Sequence, residues 1–205
     1  MRILVMGGAG AMAEVIERDL LEHGAEVILA DRDAAKLRER ARLLKSRRVK
    51  TVVIDIKDPR LPSIIRRLRP DVLINATWYE FNVIVMKAAI RAGVHYVDLG
   101  GLYWKTLEQL KLHRRAKKAG VACILGMGST PGTMNIMAKH AAGMLDTVER
   151  MELRCGGRPL KRVRAKGSPA ANHIGEVVPL VTALERLDGL ARRARETGEA
   201  LVSRL

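Results

Sequence analysis

Short apolar runs alternate with longer amphipathic segments along most of the chain. Runs such as Val52–Ile54 and Val72–Ile74 are continuously apolar, which is typical of strands in a parallel sheet that is covered on both faces. Several other runs end at glycine or at a polar residue, as strands often do. The predicted strands are Arg2–Met6, Glu26–Ala30, Val49–Asp55, Asp71–Asn75, His95–Asp98, Val121–Gly126 and Val148–Arg154.

Between these strands, apolar residues recur every three or four positions, which indicates helices. The predicted helices are Ala11–His23, Ala34–Lys45, 58–68, Glu80–Ala92, Trp104–Lys118 and Gly132–Met144. Asp33, Asp58 and Thr130 are predicted N-caps, and a proline follows each of the last two. The alternation predicts a doubly wound parallel sheet, an α/β fold of the Rossmann type, over residues 1–155.

The pattern changes after Cys155. Residues 156–168 are rich in Gly, Arg and Lys, whereas 177–205 have the spacing of one or two amphipathic helices. The 50 residues from 156 to 205 are too few for an independent catalytic domain. We therefore expect two parts: a domain over 1–155 and a partly helical, truncated or atypical tail over 156–205.

A glycine motif links the first predicted strand to the first helix. Gly8-Ala9-Gly10-Ala11-Met12-Ala13 has the form G-x-G-x-x-A. In this context Gly8 allows a tight turn, Gly10 lets the backbone approach a pyrophosphate, and Ala13 permits close packing of the helix on the strand. The unpaired N–H groups at the helix N-terminus attract the phosphates. The alternative is a glycine-rich turn without a ligand.

The end of the second strand indicates the cofactor. Asp31 lies 21 residues after Gly10, at the position where a carboxylate accepts hydrogen bonds from the adenosine ribose. That carboxylate repels a 2′-phosphate and favours NAD, whereas the neighbouring Arg32 permits NADP. The predicted cofactor is NAD or NADP, with the balance toward NAD.

Further polar residues follow the third and fourth strands, at the edge of the sheet where ligands bind in this architecture. Asp55 and Ile56 are candidates for the adenine edge and face, or they form an ordinary turn. Asn75 is a candidate for the nicotinamide-side ribose, together with Ala76 and Thr77. Its alternative role is a turn residue that hydrogen-bonds its own backbone.

Two glycine-rich loops follow the fifth and sixth strands, over 98–101 and 126–132. Both are expected near the nicotinamide. Asp98 is a candidate either for contact with a substrate ammonium group or for a hinge carboxylate. Ser129 and Thr130 are expected to cap the following helix. No residue is assigned as the catalytic acid or base.

Composition narrows the function classes. The chain has 205 residues, 37 Lys and Arg against 22 Asp and Glu, and a net charge of +15. Because the basic residues are spread along the chain and fall on helix faces and ends, we interpret them as solvated surface and expect no specific nucleic-acid partner. No apolar run is as long as a membrane span needs.

Cysteine and histidine usage adds three expectations. The two cysteines form no C-x-x-C pair, which suits a reducing compartment and a cytoplasmic location. Five histidines show no metal-ligand spacing, so no metal is expected. The chain contains neither a G-x-S-x-G elbow nor a Walker A lysine.

Several motifs together resemble one enzyme family. Met6–Met12, Ala30–Arg32, Asn75–Ala76, Gly93–Gly101 and Gly126–Asn135 are similar, in the same order, to the saccharopine dehydrogenase family, especially its saccharopine reductase and lysine 6-dehydrogenase-like members. The resemblance implies an NAD(P)-dependent oxidoreductase of lysine or other amino-acid metabolism. Such an enzyme transfers a hydride at a nitrogen-bearing carbon of an amino acid or imine adduct, and forms a homodimer.

The resemblance also implies roles for individual residues. The pyrophosphate would be held by Gly8, Gly10, Ala11 and Met12, and the adenosine by Asp31 and Arg32. The centre of the cofactor would be held by Asn75, Ala76 and Thr77. The nicotinamide and the substrate would be surrounded by Tyr79, Asp98, Gly100 and Ser129.

The family's chains normally continue well beyond 205 residues into a substrate domain, and the tail over 156–205 does not resemble that continuation. An alternative is therefore a non-catalytic dinucleotide-binding module, or a truncated fragment of such an enzyme. A basic nucleic-acid-binding protein is a further alternative.

Overall fold

A parallel six-stranded sheet is the centre of the computed structural model, which describes residues 1–153. The strand order is β3-β2-β1-β4-β5-β6, and every neighbouring pair is parallel. The strands are β1 (Arg2–Met6), β2 (Glu26–Asp31), β3 (Val49–Val53), β4 (Val72–Asn75), β5 (His95–Asp98) and β6 (Cys123–Ile124). This order confirms the predicted doubly wound fold. Successive strands are added on one side of β1 as far as β3 and then on its other side from β4 onward, so the topological switch point lies between β1 and β4.

Seven α-helices lie in the described part of the chain. They are α1 (Ala11–Glu22), α2 (Ala34–Leu44), α3 (Leu61–Leu68), α4 (Asn82–Ala92), α5 (Tyr103–Leu110), α6 (His113–Ala119) and α7 (Thr133–Ala142), and a 3-10 turn over Tyr79–Phe81 precedes α4. No helix among residues 1–153 is both long and apolar enough to cross a membrane.

Alternate residues of the central strands face opposite layers. Ile3 and Val5 of β1 pack with α1 and α2, in a core that includes Ala13 and Leu37. The residues between and beside them, such as Leu4, pack into the second core on the other face, which α3, α4 and α6 cover. Because both faces are buried, β1 needs apolar residues at every position after Arg2, and this explains its continuous apolar run.

Helix caps agree with the sequence at α2 but not at α3. The side chain of Asp33 accepts hydrogen bonds from the backbone N–H groups of Ala35 and Lys36, at 3.0 Å each, so the predicted cap is confirmed. The predicted cap at Asp58 is wrong. Its carboxylate instead accepts from the N–H of Arg60 at 2.8 Å. This closes a turn before the helix, and Arg60 takes the N-cap position of α3.

The predicted helix over Trp104–Lys118 is two helices, α5 and α6. Gln109 and Leu112, on either side of the break, are both buried. The chain turns between them because the N–H of Leu112 bonds to the carbonyl of Gln109 at 2.9 Å, so both side chains reach the interior. Periodicity alone cannot show such a break, since each half has helical spacing.

The end of the described chain also differs from expectation. Helix α7 begins at Thr133, so Thr130 is not its N-cap, and neither Ser129 nor Thr130 lies next to its first residue. Residues 148–153 form no strand, although Val148–Arg154 was expected to be one. Arg154 lies outside the described residues.

The first compact unit of the chain is Met1–Thr133. Helix α7 belongs almost wholly to a second unit that begins at Met134. The predicted boundary near residue 155 and the tail over 156–205 lie outside the described residues, so both stay predictions.

A buried carboxylate joins α1 to α2. Glu17 is fully buried, and its Oε1 lies 3.1 Å from Nε of Arg40. Neither carboxylate oxygen of Glu17 accepts a hydrogen bond. The Nη2 of Arg40 instead bonds to Glu14 at 3.0 Å. Because burial disfavours the charged form more than Arg40 favours it, the pKa of Glu17 is raised to about 7.

We predict that Glu17→Gln removes a specific pH dependence of stability. The pKa of Glu17 is about 7 in the folded chain and near 4.5 without burial. Folded Glu17 therefore holds its proton more tightly, and its contribution to the free energy of unfolding falls as pH rises between these values. The Gln variant should lack this fall, which is about 3 kcal/mol at about 1.4 kcal/mol per pKa unit.

Urea unfolding at pH 5 and pH 8 measures this change. Glu22→Gln, at an exposed residue of the same helix, is the matched control. Because Glu22 has no contact with Glu17 or Arg40 among the ion pairs of α1, this variant should keep the fall in stability toward pH 8. The same pH slope in Glu17→Gln and in the unsubstituted chain would contradict the assignment.

Candidate dinucleotide-binding site

A groove of about 430 Å³ opens at the carboxyl ends of the central strands, at the switch point between β1 and β4. Seven of the residues predicted to bind the cofactor line it: Gly10, Asp31, Arg32, Asp55, Ile56, Ala76 and Thr77. Seven residues that were not predicted also line it: Met6, Gly7, Ala30, Ile54, Lys57, Trp78 and Phe81. Residues as far apart in the chain as Met6 and Phe81 are thus brought to one edge of the sheet.

The turn after β1 is held against β2 by two backbone hydrogen bonds. The N–H groups of Gly7 and Gly8 both donate to the carbonyl of Ala30, at 2.8 and 2.9 Å. The left-handed residue of the turn is Gly7, with φ of +78°, rather than Gly8. At Gly8 a Cβ would lie 2.9 Å from Cβ of Leu29 and 3.0 Å from its Cα, so only glycine fits this close to the strand.

Gly10 has a different reason to be glycine. It is the N-cap of α1 in an extended conformation, and no side chain caps that helix end. A Cβ built on Gly10 would meet only the carbonyl oxygen of Gly7, at 3.1 Å. The first turn of α1, with Ala11 and Met12, therefore presents backbone N–H groups that no side chain covers, as an anion site at a helix N-terminus requires.

Asp31 connects this turn to the end of β2. Its Oδ2 accepts from the N–H of Ala9 at 3.3 Å, and its Oδ1 accepts from the N–H of Asp33 at 3.1 Å. A carboxylate has about four acceptor positions, so Asp31 retains capacity for a ribose hydroxyl. Arg32 follows it with an exposed side chain and also lines the groove.

The far wall of the groove follows β3. Ile56 is half-buried there, and the carboxylate of Asp55 accepts from the N–H of Lys57 at 2.9 Å. The ammonium group of Lys57 lies 5.9 Å from the ring centroid of Phe81. The sequence analysis missed Lys57 and Phe81. The available signal was their position in the sequence: Lys57 follows Asp55 and Ile56 after β3, and Phe81 lies between β4 and α4.

Asn75 lies beneath the groove rather than in its lining. It is buried, and its Oδ1 accepts from the hydroxyl of Thr77 at 2.7 Å and from its N–H at 3.3 Å. Its amide donates to Oδ1 of Asn82 at 2.9 Å. Asn75 thus makes the local turn that was its alternative role, and it holds Thr77, which does line the groove.

The four residues predicted near the substrate lie outside the lining of this groove. Asp98 is fully buried, and the N–H of Gly100 donates to its Oδ1 at 2.8 Å. Tyr79 packs on Gly101, where a Cβ would overlap its side chain. Tyr79 therefore packs against the loop that follows Asp98 and contains Gly100. Ser129 is exposed in the loop after β6.

Comparison with known proteins agrees with this geometry. Residues 3–124, more than half of the chain, match the family model described as the saccharopine dehydrogenase NADP binding domain. The chain belongs to the saccharopine dehydrogenase family. Its described domain is an NAD(P)-binding domain of the Rossmann type, which confirms the resemblance and the predicted class of cofactor.

Curated relatives have related names. The chain is 27% identical to carboxyaminopropylagmatine dehydrogenase of Synechocystis sp. over 68% of its own length and 37% of that protein. It is 26% identical to carboxynorspermidine synthase of Vibrio cholerae over 73% of its own length and 42% of that protein. The chain thus spans less than half the length of these two relatives.

A solved structure shares the fold. Saccharopine dehydrogenase (L-Glu forming) from Saccharomyces cerevisiae superposes with a TM-score of 0.59 and 23% identity, over 70% of this chain and 31% of that one. At this level of identity the likeness concerns the architecture alone.

We predict that two glycine substitutions in this family motif separate folding from binding. Gly10→Val should cost less stability than Gly8→Val, because a Cβ at Gly10 would approach only one atom closely, the carbonyl oxygen of Gly7 at 3.1 Å. It should weaken NAD(P) binding at least tenfold by blocking the phosphates. Gly8→Val should lower stability by about 2 kcal/mol or more through overlap with β2. Thermal unfolding and calorimetric titration measure the two effects. Equal loss of stability in both variants would contradict the assigned roles.

Proposed function

We propose that this chain is the nucleotide-binding part of an NAD(P)-dependent oxidoreductase that acts on an amino acid or its imine adduct. The observation that carries this proposal is the uncapped N-terminus of α1, which has no Cβ at Gly10 and adjoins the carboxylate of Asp31 in one groove. These are the features that a pyrophosphate and an adenosine ribose require. When bound, the nicotinamide accepts or donates the hydride.

The residues of the groove divide by position. Backbone N–H groups at Ala11 and Met12 hold the pyrophosphate, with Gly10 leaving room for it. Asp31 accepts from the ribose hydroxyls, and Ile56 packs on the adenine. Ala76 and Thr77, which follow β4, contact the central part of the cofactor. The support for each role is its place in the groove lining or at the start of α1.

The adenosine end carries charges of both signs. Asp31 favours a free 2′-hydroxyl, whereas Arg32 and Lys57, which line the same groove, attract a 2′-phosphate. The lining also contains the carboxylate of Asp55. Because two anions and two cations share this groove, we propose that both NAD and NADP bind and that Asp31 sets their ratio. The family model of an NADP-binding domain is consistent with NADP binding.

The substrate class has chemical support from the relatives. The names of the two curated relatives contain agmatine and norspermidine, which are amines. Both names begin with "carboxy", which denotes a carboxylate on the compound. A substrate that carries an amine and a carboxylate, with hydride transfer at the carbon next to nitrogen, is therefore proposed for this chain also. Lysine-type compounds form the first group to test. A cytoplasmic location and a homodimer stay predictions.

We predict micromolar binding of NAD, NADP or both by the purified 205-residue chain. Isothermal titration with each dinucleotide measures the affinity. Absorbance near 340 nm, with lysine-type and carboxylated polyamine substrates, measures turnover. Binding without turnover would favour the alternative of a non-catalytic dinucleotide-binding module. If neither NAD nor NADP bound to the chain, the proposal would be refuted.

We predict opposite effects of two neighbouring substitutions on cofactor preference. Asp31→Asn removes a charge that repels the 2′-phosphate, so the ratio of NADP to NAD affinity should rise roughly tenfold. Arg32→Gln removes an attracting charge, so the same ratio should fall by a similar factor. Titration of both variants with both dinucleotides gives the ratios. If Asp31→Asn left the ratio unchanged, Asp31 would not lie at the ribose.

A further inference from the structure

Asp98 is a fully buried carboxylate at the end of β5 that three donors surround. The side-chain amide of Gln109 donates to Oδ2 at 2.6 Å. The backbone N–H groups of Gly100 and Gly126 donate to Oδ1 at 2.8 and 2.9 Å. Its backbone carbonyl also accepts from the N–H of Met127 at 2.8 Å. Its buried charge is therefore compensated from within the protein.

These donors come from three separate elements. Gly100 lies in the loop after β5, Gly126 begins the loop after β6, and Gln109 lies on α5. Both glycines are left-handed, with φ of +86° and +73°. Cβ positions on these two glycines would lie 2.6 and 3.1 Å from Cγ of Pro131. One carboxylate thus fixes the path of two loops that pack closely on each other.

Hydrogen bonds continue from these loops to the groove. The carbonyl of Gly100 accepts from the amide of Asn82 at 3.1 Å. Asn82 accepts from the amide of Asn75 at 2.9 Å, and Asn75 accepts from the hydroxyl of Thr77 at 2.7 Å. Thr77 lines the groove. An unbroken series of polar contacts therefore joins Asp98 to the proposed cofactor site.

Contact with a substrate ammonium group does not fit this environment. Asp98 has no exposed surface, and its carboxylate oxygens already accept from Gln109, Gly100 and Gly126. A substrate would have to displace a side chain of α5 or one of the loops before it reached either oxygen. Removal of such a donor from a buried charge is costly.

We propose that Asp98, with Gln109 as its partner, is a positioning residue that fixes the loops after β5 and β6 at the nicotinamide end of the groove. In this fold the adenosine lies on the β2 side of the switch point, so the nicotinamide lies toward β4 and β5. The inference rests on the proposed function, because it assigns these loops to one end of the bound dinucleotide.

An exchange of side chains tests the pair. Gln109→Glu places a second carboxylate against Asp98 with almost no change in size, and repulsion should release the loops. The double variant Asp98→Asn/Gln109→Glu reverses the donor and acceptor. The amide oxygen introduced at position 98 can keep both glycine N–H groups, and its NH₂ group can donate to the carboxylate introduced at position 109. One buried charge remains, as in the unsubstituted chain.

The readout compares two ligands by titration. One is whichever of NAD and NADP binds more tightly, and the other is the matching ADP-ribose or its 2′-phosphate, which lack the nicotinamide. Gln109→Glu should weaken the dinucleotide at least tenfold and ADP-ribose less than twofold. The double variant should restore dinucleotide affinity to within threefold. Glu108→Gln, at an exposed neighbour on α5, is the control and should change neither affinity.

Each other result overturns a specific statement. Equal weakening of both ligands by Gln109→Glu would show a general structural role. No weakening, or no rescue by the double variant, would remove the pair from positioning. Failure of the unsubstituted chain to bind either ligand would refute the proposed function instead.

Amide hydrogen exchange provides a second measurement of the same variants. The Gly100 and Gly126 amides should exchange slowly in the unsubstituted chain and in the double variant, and at least tenfold faster in Gln109→Glu. This readout does not depend on ligand binding, and it also shows whether Gln109→Glu has folded. Unchanged protection of both amides in a folded Gln109→Glu would overturn the proposal.

Discussion

The two hydrogen bonds from Gly7 and Gly8 to the carbonyl of Ala30 are the constraint on which the candidate site depends. They hold the turn after β1 against β2, so that α1 starts directly at the groove with its first N–H groups uncovered. A side chain at Gly8 would push this turn away from Leu29. The same close approach lets Asp31 reach the N–H of Ala9, so one local contact positions both groups that we propose for the phosphates and the ribose.

The opposite end of the crevice is held by side chains. Asp98 and Asn75 are buried, and between them they fix the backbone after β4, β5 and β6. Buried amides and carboxylates hold their partners in defined positions, because any hydrogen bond left unmade in the interior costs free energy. The proposed phosphate site thus presents backbone groups of α1 to a ligand, whereas the proposed nicotinamide end is shaped by a polar network that remains inside the protein.

Local patterns predicted elements well where one interaction decided them. Asp33 caps α2 as expected, because its donors lie two and three residues on. Asp58 has the same local appearance but closes a turn on Arg60, and Thr130 lies three residues before α7. The break between α5 and α6 depends on the burial of Gln109 and Leu112. The local sequence does not display that burial, whereas at Asp58 two local arrangements, a cap and a turn, share one sequence pattern.

The sequence by itself determined the doubly wound parallel sheet, the glycine motif and the family, since periodicity and motif spacing are properties of short segments. Only the tertiary structure decided that Gly7 takes the left-handed conformation, that Lys57 and Phe81 join the groove, and that Asp98 faces Gln109 rather than solvent. The reason is physical: whether a polar side chain meets a ligand or another buried group depends on neighbours that are distant in the chain, and the fold brings those neighbours together.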